Sequence, residues 1–347
     1  SLFVIPKFLE DGSRNAISNM GIYHKIGQKG VPAMHLGFEG SQAWLIGEPN
    51  KGLAYMFQMM NEARIGVGIA GAAIASAAYH AALTYAKERP QSRRLNTKTA
   101  VDTPQVPIIQ HPDVRRMLLF QKAAVEGSLS LLVQTSLYFD RAHASTSPEE
   151  KEKNTLLIEL LTPITKTYPC EAGVKVTTEA LQCFGGYGFT EDFPAEQYYR
   201  DIRITPIYEG TTGIQSQDLL GRKITLQQGK AVQLLAAEVQ EVQAAASAIP
   251  ELAKYALQLA ETGKLVENVT NHLLSIARTG DIERYLSDAS LYMELMSTYV
   301  IAWQWLKQAV AAQQLTDESL KATKWHTMQY FFHYEVPKCQ GWATRLT

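Results

Sequence analysis

Tyr199-Arg-Asp-Ile-Arg-Ile-Thr-Pro-Ile-Tyr-Glu-Gly-Thr-Thr-Gly-Ile-Gln215 decides the reading of this chain. The stretch lies between two helical blocks and holds more chemistry than a linker needs. Pro206 breaks the local backbone pattern. Ile207 and Tyr208 follow, then an acid, Glu209, and a glycine. Thr211 or Thr212 can cap a new helix, and Thr212 with Gln215 three residues on fits a capping box. The unpaired amides of a helix start suit an anionic ligand such as a phosphate. An acid held just before them can serve as a base. It can equally sit in the first helical turn and favour the helix dipole.

Working outward, the chain alternates little: it is mainly α. Residues 2–5, 17–24, 34–38 and 43–46 read as strands between glycine-rich turns. Few of them could make a stable sheet alone, so further strands upstream of Ser1 are expected. Residues 53–88 read as a helix, and its small-residue zone from Gly66 to Ala78 permits close approach by another helix or a flat ligand. Arg64 interrupts this apolar zone and needs either an anionic ligand or an intrachain carboxylate. Residues 89–109 read as a loop, and about 113–145 and 149–181 as helices. Pro163 and Pro169 are expected to make the second of these irregular. Phe184-Gly-Gly-Tyr-Gly-Phe189 ends it, either as a C-cap and turn or as backbone that lies close to a ligand. Helices over 216–247 (interrupted near Gly221), 251–278, 281–314 and one more from Thr316 complete the chain.

Composition limits what these elements can be. With 347 residues, 46% of them apolar and 19% charged, the chain is long enough for two or three domains and too apolar for disorder. Lys and Arg total 33 against 34 Asp and Glu, a balance that gives no argument for nucleic acid or a charged membrane. No uncharged apolar run is read as long enough to span a bilayer, so no integral membrane segment is expected. Three cysteines, Cys170, Cys183 and Cys339, have no metal-ligand spacing, and their odd number fits a reducing compartment, read as cytoplasmic. The histidines are scattered without a metal motif, so no metal site is expected. Gly185-Gly-Tyr-Gly188 lacks the strand-to-helix context of a dinucleotide fold. Lys87-Glu-Arg-Pro-Gln-Ser-Arg-Arg94 reads as a solvated helix end or a phosphate grip.

Four of these segments, in this order, resemble the acyl-CoA dehydrogenase family: Asn61-Glu-Ala-Arg-Ile-Gly-Val-Gly68, Lys87-Glu-Arg-Pro-Gln91, Leu181-Gln-Cys-Phe-Gly-Gly-Tyr-Gly-Phe189, and Tyr199-Arg-Asp through Gln215. His24-Lys-Ile-Gly-Gln-Lys-Gly30 is similar to part of that family's middle β domain. The resemblance covers residues 1 to about 235. The rest looks like the extra helical domain of long bacterial members, among them enzymes for 3-methylmercaptopropionyl-CoA. It implies a partial middle β domain over 1–50, a C-terminal four-helix bundle over 51–235 and an additional helical domain over 236–347.

The resemblance also implies an activity: FAD-dependent α,β-dehydrogenation of an acyl-CoA thioester. Glu209 matches the catalytic base. Arg64, Tyr208 and Gly210 fall on the substrate side. Arg89 and Gln91 match an FAD-contacting motif, although Ser92-Arg93 replaces the Phe-Gly that often follows it. Gln182, Gly185 and Gly186 match the adenine and pyrophosphate side of FAD, contributed from another subunit. Thr211 and Gln215 match cofactor-side positions at the helix start. The family pattern implies a homo-oligomer with an electron-transfer flavoprotein as electron acceptor. It also implies an N-terminal portion, as part of the same protein or as a separate chain, without which these residues are expected to be inactive. Two alternatives stay open on sequence: a non-enzymatic CoA-binding or scaffold subunit of a split complex, and an acyl-CoA oxidase.

Overall fold

Two antiparallel pairs of short strands begin the chain. The computed structural model describes residues 1–94 and 104–347. It divides by contact into a first unit, Ser1–Arg64, and a second, Ile65–Thr347. In the first unit β1 (Leu2–Val4) pairs with β4 (Trp44–Ile46), and β2 (Ile17–Ile22) pairs with β3 (Met34–Phe38). Asn15, buried, joins the segments between them: its Nδ2 donates to the carbonyls of Pro6 and Gln42, and its Oδ1 accepts from the amides of Ala16 and Gln42. Phe3, Met20, Ile22, Phe38 and Trp44 stay about half exposed, as expected of two-stranded pairs with nothing packed on their faces.

α1 (Gly52–Glu88) runs from the first unit into the second. It differs from the sequence reading in one respect. Residues 65–86 contain no Asp, Glu, Lys or Arg, and among the described residues α1 is the one helix long and apolar enough to cross a membrane by length and composition. Its residues Ala72, Ala75, Ala78, Ala82 and Ala86 are buried in the second unit, which is how the core helix of a helical layer reads.

α2 (Pro112–Ala144) and α3 (Pro148–Phe184) make the most extensive helix pair, and α4 (Ala195–Ile202) lies on α3. α3 stays helical through Pro163 and Pro169, where irregularity was expected. The crossing with α1 packs against one of the freed carbonyls. Pro169 has no amide for the Thr165 carbonyl. Gly68 backs onto that oxygen so closely that a Cβ there would stand 2.2 Å from it. Gly71 approaches Cys170 and Gly173 in the same way, so the small-residue zone serves helix packing.

After the turn that follows α4 come α5 (Thr212–Asp218), a π turn at Leu219–Lys223 and a 3-10 turn at Leu226–Gly229, whose Gln227 and Gln228 are left-handed. The break near Gly221 is therefore followed by a second one. α6 (Lys230–Ser247), α7 (Ala253–Ala277), α8 (Ile282–Leu286), α9 (Ala289–Ala312), α10 (Glu318–Tyr330) and α11 (Lys338–Leu346) complete the helical layer. α9 is its central rod, with Trp303 and Trp305 fully buried and the Trp305 indole donating to the Ala123 carbonyl of α2 at 3.0 Å. One apolar core joins α2 and α3 to α6, α7, α9, α10 and α11.

Candidate active site

The turn between α4 and α5 is built by its own backbone. The amides of Ile207 and Tyr208 bond to the Ile204 carbonyl, and the Thr212 amide bonds to that of Pro206 at 3.1 Å. The amides of Glu209 and Gly210 make no hydrogen bond among the described residues. Both residues are left-handed, Glu209 with φ 54° and Gly210 with φ 90°. Glycine adopts this freely, but glutamate does so under strain. Glu209 itself is half-buried, while Ile207 and Tyr208 are exposed.

The cap chemistry resolves the two threonines. Thr211 is the N-cap, its hydroxyl accepting from the Ile214 amide at 3.3 Å. Thr212 turns its hydroxyl to the Glu171 carboxylate of α3. Gln215, fully buried, does not close a capping box. Its Nε2 reaches past the cap to the Glu209 carbonyl at 3.0 Å, while its Oε1 has no partner among the described residues. With α5 only seven residues long, the turn owes more to these side chains than to a helix dipole.

Lys166, which sequence reasoning did not single out, completes the turn. It is fully buried in α3 and donates to the Gly210 carbonyl at 2.8 Å. Its signal was present: a lysine inside the run Leu160-Leu-Thr-Pro-Ile-Thr-Lys-Thr-Tyr-Pro-Cys170 has no solvated neighbour to explain it.

A second cluster gathers around the glycine corner. The chain before α2 folds back on the end of α1: Gln91 N bonds to Val106 O, and Ile108 N to Arg89 O at 2.9 Å. His111 takes up the Gln91 carbonyl with its Nε2 at 2.8 Å. Arg89 thereby places its guanidinium carbon 5.4 Å from the centre of the Tyr187 ring. Tyr85, Phe184, Phe193 and Tyr187 form an aromatic cluster there, with Tyr85 stacked on Phe184 and Phe193 set at an angle to the other three. Gly185 ends α3 at φ 59°, ψ −140°, a conformation open to glycine alone. Gln182, Gly185 and Gly186 are exposed, and a Cβ at either glycine would meet nothing within 4 Å. The Arg89 Nε is buried without a partner among the described residues. A cation with an unspent donor beside bare backbone suits the phosphates of a dinucleotide. The fold thus brings Arg89 to Tyr187 of the glycine corner within one chain, and separately gathers Glu209, Gly210, Thr211 and Gln215. Arg64 stands buried in α1, at the end of the first unit.

The helical layer is that of a C-terminal dehydrogenase domain, and the chain belongs to the acyl-CoA dehydrogenase family. The model of the acyl-CoA dehydrogenase C-terminal domain matches residues 50–224, and that of the acetyl-CoA dehydrogenase C-terminal-like region matches residues 235–347. The chain is 36% identical to the 3-methylmercaptopropionyl-CoA dehydrogenase of Ruegeria pomeroyi, over 100% of its own length and 60% of that protein's. It is 39% identical to a butyryl-CoA dehydrogenase of Syntrophomonas wolfei, over 69% of the chain and 41% of the relative. The chain therefore spans less than two thirds of the length of these relatives. The fold is also that of an acyl-CoA dehydrogenase from Bacillus anthracis complexed with FAD, with TM-score 0.76 and 20% identity over 95% of this chain and 56% of that one.

Proposed function

We propose that these residues form the C-terminal portion of an FAD-dependent acyl-CoA dehydrogenase, with Glu209 as the base that removes the α proton of an acyl-CoA thioester. The observation that carries this is the turn itself: a carboxylate on a left-handed pair whose two amides are unspent. An amide donor beside the base suits the thioester oxygen, where negative charge grows as the α proton leaves. The Glu209 amide fills that role in this reading, and its carboxylate takes the proton. FAD, when bound, supplies the acceptor for the hydride that leaves the β carbon. Arg89 and Gln91 with Gln182, Gly185 and Gly186 hold its phosphates and adenine side, and Thr211 with Gln215 stand on the cofactor side of the turn. The Arg64 assignment to CoA rests on resemblance alone.

The whole enzyme in this reading is longer than these residues, homo-oligomeric, and passes electrons to an electron-transfer flavoprotein. The half-exposed strands of the first unit would pack there against further β structure. The relatives' names put short acyl chains first in any substrate panel. The test is anaerobic bleaching of the flavin in the full-length protein by butyryl-CoA, 3-methylmercaptopropionyl-CoA and longer acyl-CoAs. Glu209→Gln should keep flavin binding and lose roughly 10²–10⁴-fold in bleaching rate, the usual worth of a general base. Bleaching at the wild-type rate would reject Glu209, and no bleaching across the panel would reject the activity. Peroxide formed with substrate under air would move the assignment to an oxidase.

A further inference from the structure

Lys166 is a buried charge with a task that core filling does not explain. Lys166 is fully buried in α3, on a stretch that also buries Leu160, Leu161, Thr165, Thr167 and Cys170. An ammonium group is strongly hydrated and enters such a place at a cost. One group it meets there is the Gly210 carbonyl, at 2.8 Å. The carbonyl just before it, that of Glu209, is taken by Gln215 Nε2 at 3.0 Å. Consecutive carbonyls are thus held by buried side chains of two different helices, α3 and α5.

The pair so held is the strained one. A glutamate at φ 54° persists only where its surroundings over-determine it. Were the carbonyls released, the Glu209–Gly210 peptides would rotate towards ordinary φ values and carry the Glu209 carboxylate with them. Gly210 has no side chain that could resist this, and a Cβ there would in any case stand 2.6 Å from Gln215 Nε2. The restraint must come from the carbonyl side.

We propose that Lys166 is a positioning residue for proton abstraction: acting through the Gly210 carbonyl, and together with Gln215 on the Glu209 carbonyl, it fixes the left-handed pair that aims the Glu209 carboxylate. The inference rests on the reading of Glu209 as the base. Lys166 touches no reacting atom in it. A purely structural lysine would affect how much protein folds; a positioning lysine affects how fast each folded molecule reacts.

The test uses the full-length, flavin-loaded protein with Lys166→Met, which keeps length and removes the ammonium, and Lys166→Arg, which keeps a charged donor. For Lys166→Met, kcat per bound flavin should fall roughly ten- to hundredfold, the scale of a misplacement near 1 Å. KM should stay within about threefold, because ground-state binding is untouched. The kinetic isotope effect with α-deuterated substrate should rise, because proton abstraction becomes rate-limiting, and Lys166→Arg should recover part of kcat. Hydrogen exchange of wild-type amides over 207–214 supplies a readout that needs no variant to fold: slow exchange at Thr212 is expected, and exchange as fast as a free loop overturns the clamp. Wild-type kcat and isotope effect in Lys166→Met, with Glu209→Gln inactive, overturn the role of Lys166 alone. Wild-type turnover in Glu209→Gln overturns both readings.

Discussion

The side-chain nitrogen of Gln215 donates to the carbonyl of Glu209 at 3.0 Å and leaves no room for a side chain on the residue between turn and cap. Gly210 is therefore required twice, by its φ of 90° and by the Gln215 amide. Gly210→Ala should cost about 1–3 kcal/mol of stability from backbone strain. If Glu209 is the base, turnover should fall by roughly a further 10²-fold, because the turn cannot keep its shape. Denaturant midpoints and turnover per bound flavin check the two effects separately. A variant with unchanged turnover would show that the turn's geometry is immaterial to the chemistry.

The crossing of α1 and α3 should be sensitive at one glycine and tolerant two residues earlier. Gly68→Ala would put a methyl group 2.2 Å from the Thr165 carbonyl oxygen, whereas nothing lies within 4 Å of a Cβ at Gly66. Overpacking of this kind costs about 1–3 kcal/mol. Gly66→Ala should be neutral or stabilising by up to about 1 kcal/mol, because it lowers the entropy of the unfolded helix. Paired urea titrations compare them, and equal midpoints would argue against the close helix contact.

Arg89→Gln removes the cation that lies over Tyr187. Under the proposed cofactor assignment, FAD affinity should fall about 10–100-fold, the worth of one charge-assisted hydrogen bond. Titration of the apoprotein by flavin fluorescence measures this without any turnover. Helix content by circular dichroism should not change, since Arg89 Nε bonds to nothing within the described residues. Unaltered affinity would remove Arg89 from the cofactor site.

The three cysteines predict an alkaline limit. Burial pushes the Cys170 and Cys183 thiols up to about 11 and Cys339 up to about 12, from an ordinary 9.0. A raised folded value means that below the unfolded value both states hold the proton and the contribution is complete. Above it the unfolded thiols ionise first, so stability falls as pH rises from about 9 towards 11–12. Tyr79, Tyr292 and Tyr299, raised by burial to about 12 from 10.0, steepen the fall at its upper end. Unfolding free energy measured from pH 7 to 11 should be level and then decline. Native thiols should react with a disulfide reagent at pH 8 only at the rate of unfolding. Rapid labelling of folded protein would show that the cysteines are open to solvent.

Much of the helical frame was legible in local pattern. The helices at Pro112–Ala144 and Pro148–Phe184 fall within a few residues of their expected bounds, because Pro at the first turn and an apolar stripe are local signals. Pro163 and Pro169 misled that reading, since a proline's cost depends on what approaches the freed carbonyl. For Thr165 that neighbour is Gly68, ninety-seven residues earlier in sequence. The uncharged run at 65–86 is a related case: in sequence it looks alike whether its alanines meet lipid or other helices, and their burial in the helical layer is what separates the two.

What the sequence determined by itself is the order of the elements, the family motifs and the identity of the acid in the turn, because each depends on residues near one another along the chain. Only the tertiary structure decided how that acid is held. Lys166 and Gln215 act on neighbouring carbonyls from α3 and α5, and Arg89 meets Tyr187 across ninety-eight residues of chain. Backbone carbonyls carry no sequence signal. Which buried side chain reaches them is fixed by how the helices pack, and that is where the strained glutamate finds its support.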